Sequence, residues 1–392
     1  MKKTSVKILL VQAILKPRGG GNAVAVWMIE ALKHDYELHV YTIHPVDWDA
    51  LNQFYGTSLS PSDFHLHVLP AFIRSILSLD PDPGSVQGLA LLMRLAKWTK
   101  NRYKAILIAD NEADFGKRSI QYIHYPDWVR LYQKLYNKET HKRKPLSLKY
   151  LHLWKIISGM SFKQVKNNLS LVNSNWTGKE LHNFYGISGK TLYPPVPGGF
   201  INTPWNKRKN GFICIGRITH IKRLEHIIRI MRVLRARGHD LHLHMIGIRY
   251  GPSSHWQYYW KILKQIQHHS SWITLHENIS RNELVKIVSS NKYGIHRQPD
   301  ECFGIAVAEM VKGGCITFTH HTGGQAEIVG DEERLKYSSD AEAVRKIENV
   351  LKNSKEQAEL KKYLDTRKNL FSTQRFMKET REIVGQFIAG EI

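Results

Sequence analysis

The sequence predicts an α/β chain built of two doubly wound domains, each a parallel sheet covered by helices. Three observations lead there. At 392 residues the chain is longer than one ordinary core organises, and two domains of roughly 150 to 200 residues each are expected. Short apolar runs alternate with helical patterns in both halves, as strand–helix–strand units require. Between the halves lies Tyr193-Pro194-Pro195-Val196-Pro197-Gly198-Gly199, which neither continues a helix nor fits a central strand. The expected boundaries are therefore 1–195 and 196–370, with a last helix within 371–392 placed to pack back on the first domain. Two such domains set a cleft between the carboxyl ends of their strands, where ligands of these folds bind.

The elements follow in order. Residues 6–14 read as the first strand rather than as a secretory leader, because Lys16-Pro17-Arg18-Gly19 follows in place of a small-residue cleavage site. Gly19-Gly20-Gly21 reads as a loop, 23–34 as a helix and 36–43 as a strand. Further strands are expected at 105–109 and 119–124. In the second half strands at 211–216, 241–246, 272–276, 292–296 and 315–319 alternate with helices at 221–237, 256–268, 281–289 and 304–313. The first of these helices carries Leu224, Ile227, Ile228, Met231 and Leu234 on one face.

A hydrophobic content of 42% with ten Trp excludes a disordered chain, and no run approaches 18 apolar residues, so no spanning helix is expected. Lys+Arg 57 against Asp+Glu 34 gives a net charge of +23, which implies an anionic partner: nucleic acid, anionic lipid or a phosphorylated substrate. Three cysteines without metal-ligand spacing suit a reducing, cytoplasmic setting. The charge concentrates in 129–166, where Arg130, Lys134, Lys138, Arg143 and Lys144 interleave with Trp128, Tyr132, Tyr136 and Trp154. That pattern suits an anionic membrane surface or nucleic-acid phosphates, and equally a solvated helix face.

The chemistry is carried by Glu301-Cys302-Phe303-Gly304-Ile305-Ala306-Val307-Ala308-Glu309. The helix at 304–313 is apolar nearly all round, so Glu309 sits where an unpaired charge is rarely tolerated. Glu309 thus requires a partner. Gly304 lets backbone amides at a helix start approach a ligand closely. Gly216-Arg217-Ile218-Thr219-His220-Ile221-Lys222-Arg223 joins a strand to a helix and places three cations at the helix's own positive end. A bound diphosphate would resolve that conflict, with Arg217 offering a fork of donors and Lys222 a point charge. Thr322-Gly323-Gly324 is a further glycine turn. Asp80-Pro81-Asp82 reads as a plain turn rather than a metal-binding pair.

Taken together these features resemble the retaining nucleotide-sugar glycosyltransferases of the GT-B fold, family 4, whose two Rossmann-like domains face each other across a cleft. The resemblance rests on the glycine loop at 19–21, Ile123-His124-Tyr125-Pro126, Asn173-Ser174-Asn175-Trp176-Thr177, Tyr193-Pro194-Pro195-Val196, the Gly216-Arg217 to Lys222 spacing, the Glu-x7-Glu run and Thr322-Gly323-Gly324. Gly-Gly-Gly, His-Tyr-Pro and Tyr-Pro-Pro look most like the α-1,2-mannosyltransferase branch acting on dolichol-linked oligosaccharides. The resemblance implies a retaining sugar transfer from a nucleoside-diphosphate sugar, with mannose as the sugar of the branch it looks most like, to a glycan or lipid-linked acceptor, with no metal or other cofactor. It implies catalytic roles for Glu301, His124, Arg217 and Lys222, and donor contacts from Arg217, Lys222, Phe303, Gly304, Ile305 and Glu309. Glu309 would be satisfied by ribose hydroxyls rather than by a protein cation. Gly20, Gly21 and Asn22 would meet donor phosphate or acceptor, and the basic segment would dock the enzyme peripherally on a membrane, nucleic acid being the less favoured partner. The glycine common after the motif lysine is Arg223 here, a departure from the family's pattern. A nucleotide-sugar epimerase or hydrolase of the same fold, and a non-catalytic basic nucleic-acid-binding protein, are the alternative readings.

Overall fold

A computed structural model describes residues 6–17, 19–78, 86–128, 153–249 and 256–392. Most of the basic run, 129–152, and the Asp80-Pro81-Asp82 turn lie outside the described residues. The chain divides into two compact units, one of residues 1–195 with 373–392 and one of 196–372.

The first unit is built on a seven-stranded parallel sheet in the order β3-β2-β1-β4-β5-β6-β7. Its strands are β1 (Lys7–Val11), β2 (Glu37–Thr42), β3 (His65–Val68), β4 (Ala105–Ile108), β5 (Ile120–Ile123), β6 (Leu169–Val172) and β7 (Lys190–Thr191). The central strands are apolar on both faces, as a sheet covered by helices on each side requires. The apolar stretch at residues 7–11 is thus an interior strand of the sheet, between β2 and β4. One core lies on each side of that sheet, one around Trp27, Leu38 and Tyr122, the other around Met93, Phe115 and Ile123.

The glycine run is not the loop that was expected. Gly19–Leu32 is a single helix, and Gly19, Gly20 and Gly21 form its first turn. Glycine is a poor helix former, but this helix buries nine side chains between Ala23 and Leu32, and that burial outweighs the propensity cost of the leading glycines. The last helix, Thr373–Ala389, packs on it: Phe376, Ile383 and Val384 enter the same core, and the Arg381 guanidinium donates to the Ala31 carbonyl at 2.8 Å.

The second unit has a six-stranded parallel sheet in the order β10-β9-β8-β11-β12-β13, with β8 (Lys209–Ile215), β9 (His242–Gly247), β10 (Ile273–Glu277), β11 (Asn291–His296), β12 (Ile316–His320) and β13 (Lys336–Tyr337). Helices Leu224–Ala236, Trp256–His268, Arg281–Ser289 and Ile305–Lys312 connect them. The helix expected from 221 starts later, at Leu224, because His220–Lys222 winds as a 3-10 turn and Arg223 adopts a left-handed backbone, φ 50°. That conformation costs a residue with a Cβ about 1–2 kcal/mol.

Both sheets reverse their strand order at one point, between β1 and β4 in the first and between β8 and β11 in the second. The loops leaving these strand pairs diverge to opposite faces and leave a crevice at the carboxyl edge. The glycine-led helix leaves β1, and the Arg217–Lys222 loop leaves β8.

Truncation of Phe376, fully buried between the last helix and the first sheet, tests the discontinuous unit. Phe376→Ala is expected to cost about 3–5 kcal/mol, read as a lowered midpoint in chemical denaturation, whereas an unchanged midpoint would show that the last helix adds nothing to the core.

Candidate functional site

The carboxyl edge of the second sheet gathers residues from three loops. Lys222, in the 3-10 turn after β8, forms an ion pair with Oε2 of Glu301, which lies beyond β11. Its stem packs on Gly216, where a Cβ would stand 3.4 Å from Lys222 Cε. His296, the last residue of β11, places Nε2 3.8 Å from the same Glu301 oxygen. Glu301 is held from a third side by its own backbone: it bridges Gly323, and its carbonyl accepts from Gly324 N at 2.7 Å.

This packing explains the Thr322-Gly323-Gly324 turn. A Cβ on Gly323 would lie 2.6 Å from Glu301 N and 2.7 Å from Glu301 O, and φ at Gly323 is 89°. Both the space and the dihedral demand glycine. Gly304 is constrained in the same way, at φ 96° with Gln325 Cβ 2.9 Å from any added Cβ. It caps Ile305–Lys312, whose backbone ladder begins with Val307 N donating to Gly304 O. The Ile305 and Ala306 amides therefore precede the ladder and project from the helix start. Phe303 is buried against Phe371, so its side chain serves packing.

Burial pushes the Glu301 carboxyl up, but Lys222 foremost outweighs this and holds it below the usual carboxylate range. His296 goes the other way: burial, reinforced by Lys222, pushes it down to about 3, so the ring is neutral at physiological pH. Neither of its ring nitrogens makes a well-formed hydrogen bond among the described residues, and the same holds for Oε1 of Gln298 and of Gln325 close by.

Glu309 requires a correction. The expectation that no protein cation satisfies it does not hold, because the Arg281 guanidinium pairs with its Oε1. Arg281 opens the helix after β10, donates also to the Pro197 carbonyl at 3.1 Å and stands 5.2 Å over the Phe200 ring. An almost fully enclosed carboxylate without a partner would cost several kcal/mol, and the cation answers that need. Beside them Lys312 is pushed down to about 8 by burial and by Arg281, against the pull of Glu309.

In the first unit the corresponding edge brings together the glycine-led helix and His124. A Cβ on Gly21 would stand 3.7 Å from His124 Nε2, so the missing side chain leaves the imidazole in contact with the helix start. Nε2 lies 3.0 Å from the Ala109 carbonyl, which only accepts, so Nε2 carries the proton and Nδ1 the lone pair. Burial pushes His124 down to about 4. Asn111, itself at φ 69°, orients this segment by accepting from His124 N at 2.7 Å and Tyr125 N at 3.0 Å. Asn22 is used structurally: its amide donates to the Lys16 carbonyl and its Oδ1 accepts from Gln12. Asp110 and Glu112 flank Asn111, and burial raises them to about 6 and about 7.

Residues 200–367 match the family described as Glycosyl transferases group 1. The second unit carries a glycosyl transferases group 1 domain. Two relatives are named GDP-Man:Man(3)GlcNAc(2)-PP-Dol alpha-1,2-mannosyltransferase. That of Candida glabrata is 24% identical over 229 residues, 53% of this chain and 44% of the relative. That of Mus musculus is 24% identical over 176 residues, 40% of this chain and 35% of the relative. The matches thus span less than half the length of these relatives. Among solved structures, Anabaena HepE in complex with UDP and glucose superposes with a TM-score of 0.64 at 14% identity, covering 97% of this chain and all of that one. Sucrose-phosphate synthase from Thermosynechococcus elongatus gives 0.66 at 16% identity, covering 98% and 100%. The chain has the GT-B fold of these neighbours, two Rossmann-like domains. Within the group 1 domain the geometry joins Lys222 to Glu301, while Glu309 is set apart with Arg281.

Sequence reasoning passed over His296, Arg281 and Gln325. A polar residue closing an apolar strand was the available signal for His296. Arg281 gave none, standing 28 residues from Glu309.

Two outcomes are expected. Gly323→Ala should destabilise the second unit around Glu301 while leaving the first unit folded, which limited proteolysis would test through new cleavage confined to residues 196–372. His124 and His296 have folded values below the unfolded 6.5, so the unfolded chain binds the proton first and stability falls as pH drops from about 6.5 towards 4. Denaturation midpoints at pH 7 and pH 5 should differ for the wild type and differ less for His296→Gln; equal dependence in both would remove His296 from this account.

Proposed function

We propose that this chain transfers a sugar, with retention and without a metal ion, from a nucleoside-diphosphate sugar held by the second unit to a glycan or lipid-linked acceptor. The observation that carries the reading is the Lys222–Glu301 pair at the strand-order reversal, inside the group 1 domain. The relatives' names favour GDP-mannose as donor and a dolichol-linked glycan as acceptor.

The residues have chemistry suited to this. Breaking the sugar–phosphate bond builds negative charge on the diphosphate, and Lys222, Arg217 and the amides of Ile305 and Ala306 would meet it there. Glu301 keeps Lys222 aimed in the free enzyme and faces the sugar, and the neutral His296 ring and Gln325 offer partners to sugar hydroxyls. Glu309, charge-balanced by Arg281 through Oε1, would still offer its carboxylate as an acceptor to a ribose hydroxyl. The cations supply the neutralisation that a divalent ion would otherwise provide. In the first unit Gly20, Gly21 and Asn22 frame a helix start beside His124, whose Nδ1 lone pair can accept from a sugar or acceptor hydroxyl.

A lipid-linked acceptor also fits the surface of the first unit. Phe72, Ile76, Trp98 and Ile156 are each more than 60% exposed, and Arg94, on the helix that carries Trp98, donates to the Ile156 carbonyl at 2.8 Å. Among the described residues no helix is long and apolar enough to cross a membrane, so peripheral attachment to a cytoplasmic membrane face is the proposed mode.

The test supplies nucleotide sugars with and without a lipid-linked acceptor. Glycosylated product should form only with acceptor, and Lys222→Ala should lower kcat by about 10²-fold or more. Donor hydrolysis or epimerisation at full rate without acceptor would overturn transfer, and a folded Lys222→Ala enzyme working at the wild-type rate would overturn the site.

A further inference from the structure

We infer that Glu37, His39 and His65 form a binding site for a transition-metal ion, Zn2+ by the chemistry of its donors, which clips the edge strand of the first sheet to its neighbour. The three side chains share one face of adjacent strands, since Glu37 and His39 are two apart on β2 and His39 stands in register with His65 of β3. Their ligand atoms all lie within 4.8 Å of one another. His39 Nε2 is 3.4 Å and His65 Nε2 3.9 Å from Glu37 Oε1. A tetrahedral ion with bonds of about 2.0–2.2 Å holds its ligands roughly 3.4 Å apart, so small side-chain rotations close the set.

A second observation points the same way. His39 Nδ1 lies 2.9 Å from His67 Nε2. With Nε2 of His39 given to a metal, its Nδ1 carries the proton and donates to His67, the outer contact that fixes the tautomer of a metal-bound imidazole. Two imidazoles, a carboxylate and a water suit Zn2+, and also Cu2+ or Ni2+, but not Mg2+ or Ca2+, which favour all-oxygen sets. His65 is 61% exposed, which gives an ion a way in.

The site stands apart from the proposed transfer chemistry. Glu37 and His65 begin their strands, at the end of the sheet opposite the crevice, and β3 is the last strand of its sheet. An ion there would hold a short edge strand in place. Lys7 is the competing cation, its Nζ 3.1 Å from Glu37 Oε1, and a metal must displace it. The second sheet offers an internal control. His242, His244 and His276 also cluster on β9 and β10, with His244 Nδ1 3.1 Å from His276 Nε2, but among the described residues they do not bring three ligand atoms within 4.8 Å of one another.

The experiment is calorimetric titration of the full chain, stripped with a chelator, with ZnCl2 at pH 7.5, and Mg2+ as a comparison. One Zn2+ should bind with a micromolar or tighter Kd, and Co2+ should give the visible absorption of a four-coordinate site. His65→Ala, a change at an exposed position, should weaken Zn2+ at least tenfold and abolish the Co2+ band, while His276→Ala leaves both intact. Lys7→Gln should tighten binding several-fold by removing the competitor. Unchanged affinity in both His65→Ala and His39→Gln would overturn the site, as would a Lys7→Gln chain that binds no more tightly than the wild type.

Discussion

The second unit is organised around the need of a buried carboxylate for a partner. Glu301 lies in the loop beyond β11, four-fifths enclosed, and Lys222 arrives from the turn after β8 to neutralise it. That pairing sets the path of the Gly216–Arg223 loop, puts the lysine stem against a residue without a side chain, and forces Arg223 into a left-handed turn before the helix can begin. The backbone of the same residue is fixed from behind by Gly323, so the turn after β12 closes over it at close range. An enclosed pair of this kind is weak support for stability but strong support for geometry: losing one partner costs about 3–5 kcal/mol because the other charge is stranded.

Burial acts on the histidines in the opposite sense. His124 follows β5 and His296 ends β11, and burial holds both neutral, against the pull of the Ala109 carbonyl on the first and with the help of Lys222 on the second. A neutral imidazole offers one donor and one acceptor without adding charge. The acids Asp110 and Glu112 are shifted upward by the same desolvation, so the first unit keeps weakly acidic groups where the second keeps fixed ions. The two carboxyl edges are therefore electrostatically different, although the sheets that build them follow one topology.

Much of the second sheet was legible in the chain because its periodicity is local. Helices Trp256–His268 and Arg281–Ser289 start and stop where the apolar spacing places them, and the strands fall within a residue or two of expectation. The glycine start of Gly19–Leu32 escaped this reading, since three glycines argue for a loop until the burial of the nine side chains that follow is known. The Glu-x7-Glu run announced two carboxylates but not their partners. Lys222 meets Glu301 across 79 positions and Arg281 meets Glu309 across 28, and neither distance leaves a trace in local pattern. The histidines of β2 and β3 were passed over for the same reason, because only strand register sets His39 beside His65.

By itself the sequence determined the class of fold, the doubled architecture and the glycine-marked turns that resemble a glycosyltransferase, because hydrophobic period and backbone permissiveness are properties of neighbouring residues. The tertiary structure alone decided which charges meet. Ion pairing depends on side chains converging through space after the sheets have formed, so Glu301 with Lys222, and Glu309 with Arg281, are consequences of strand order rather than of spacing along the chain.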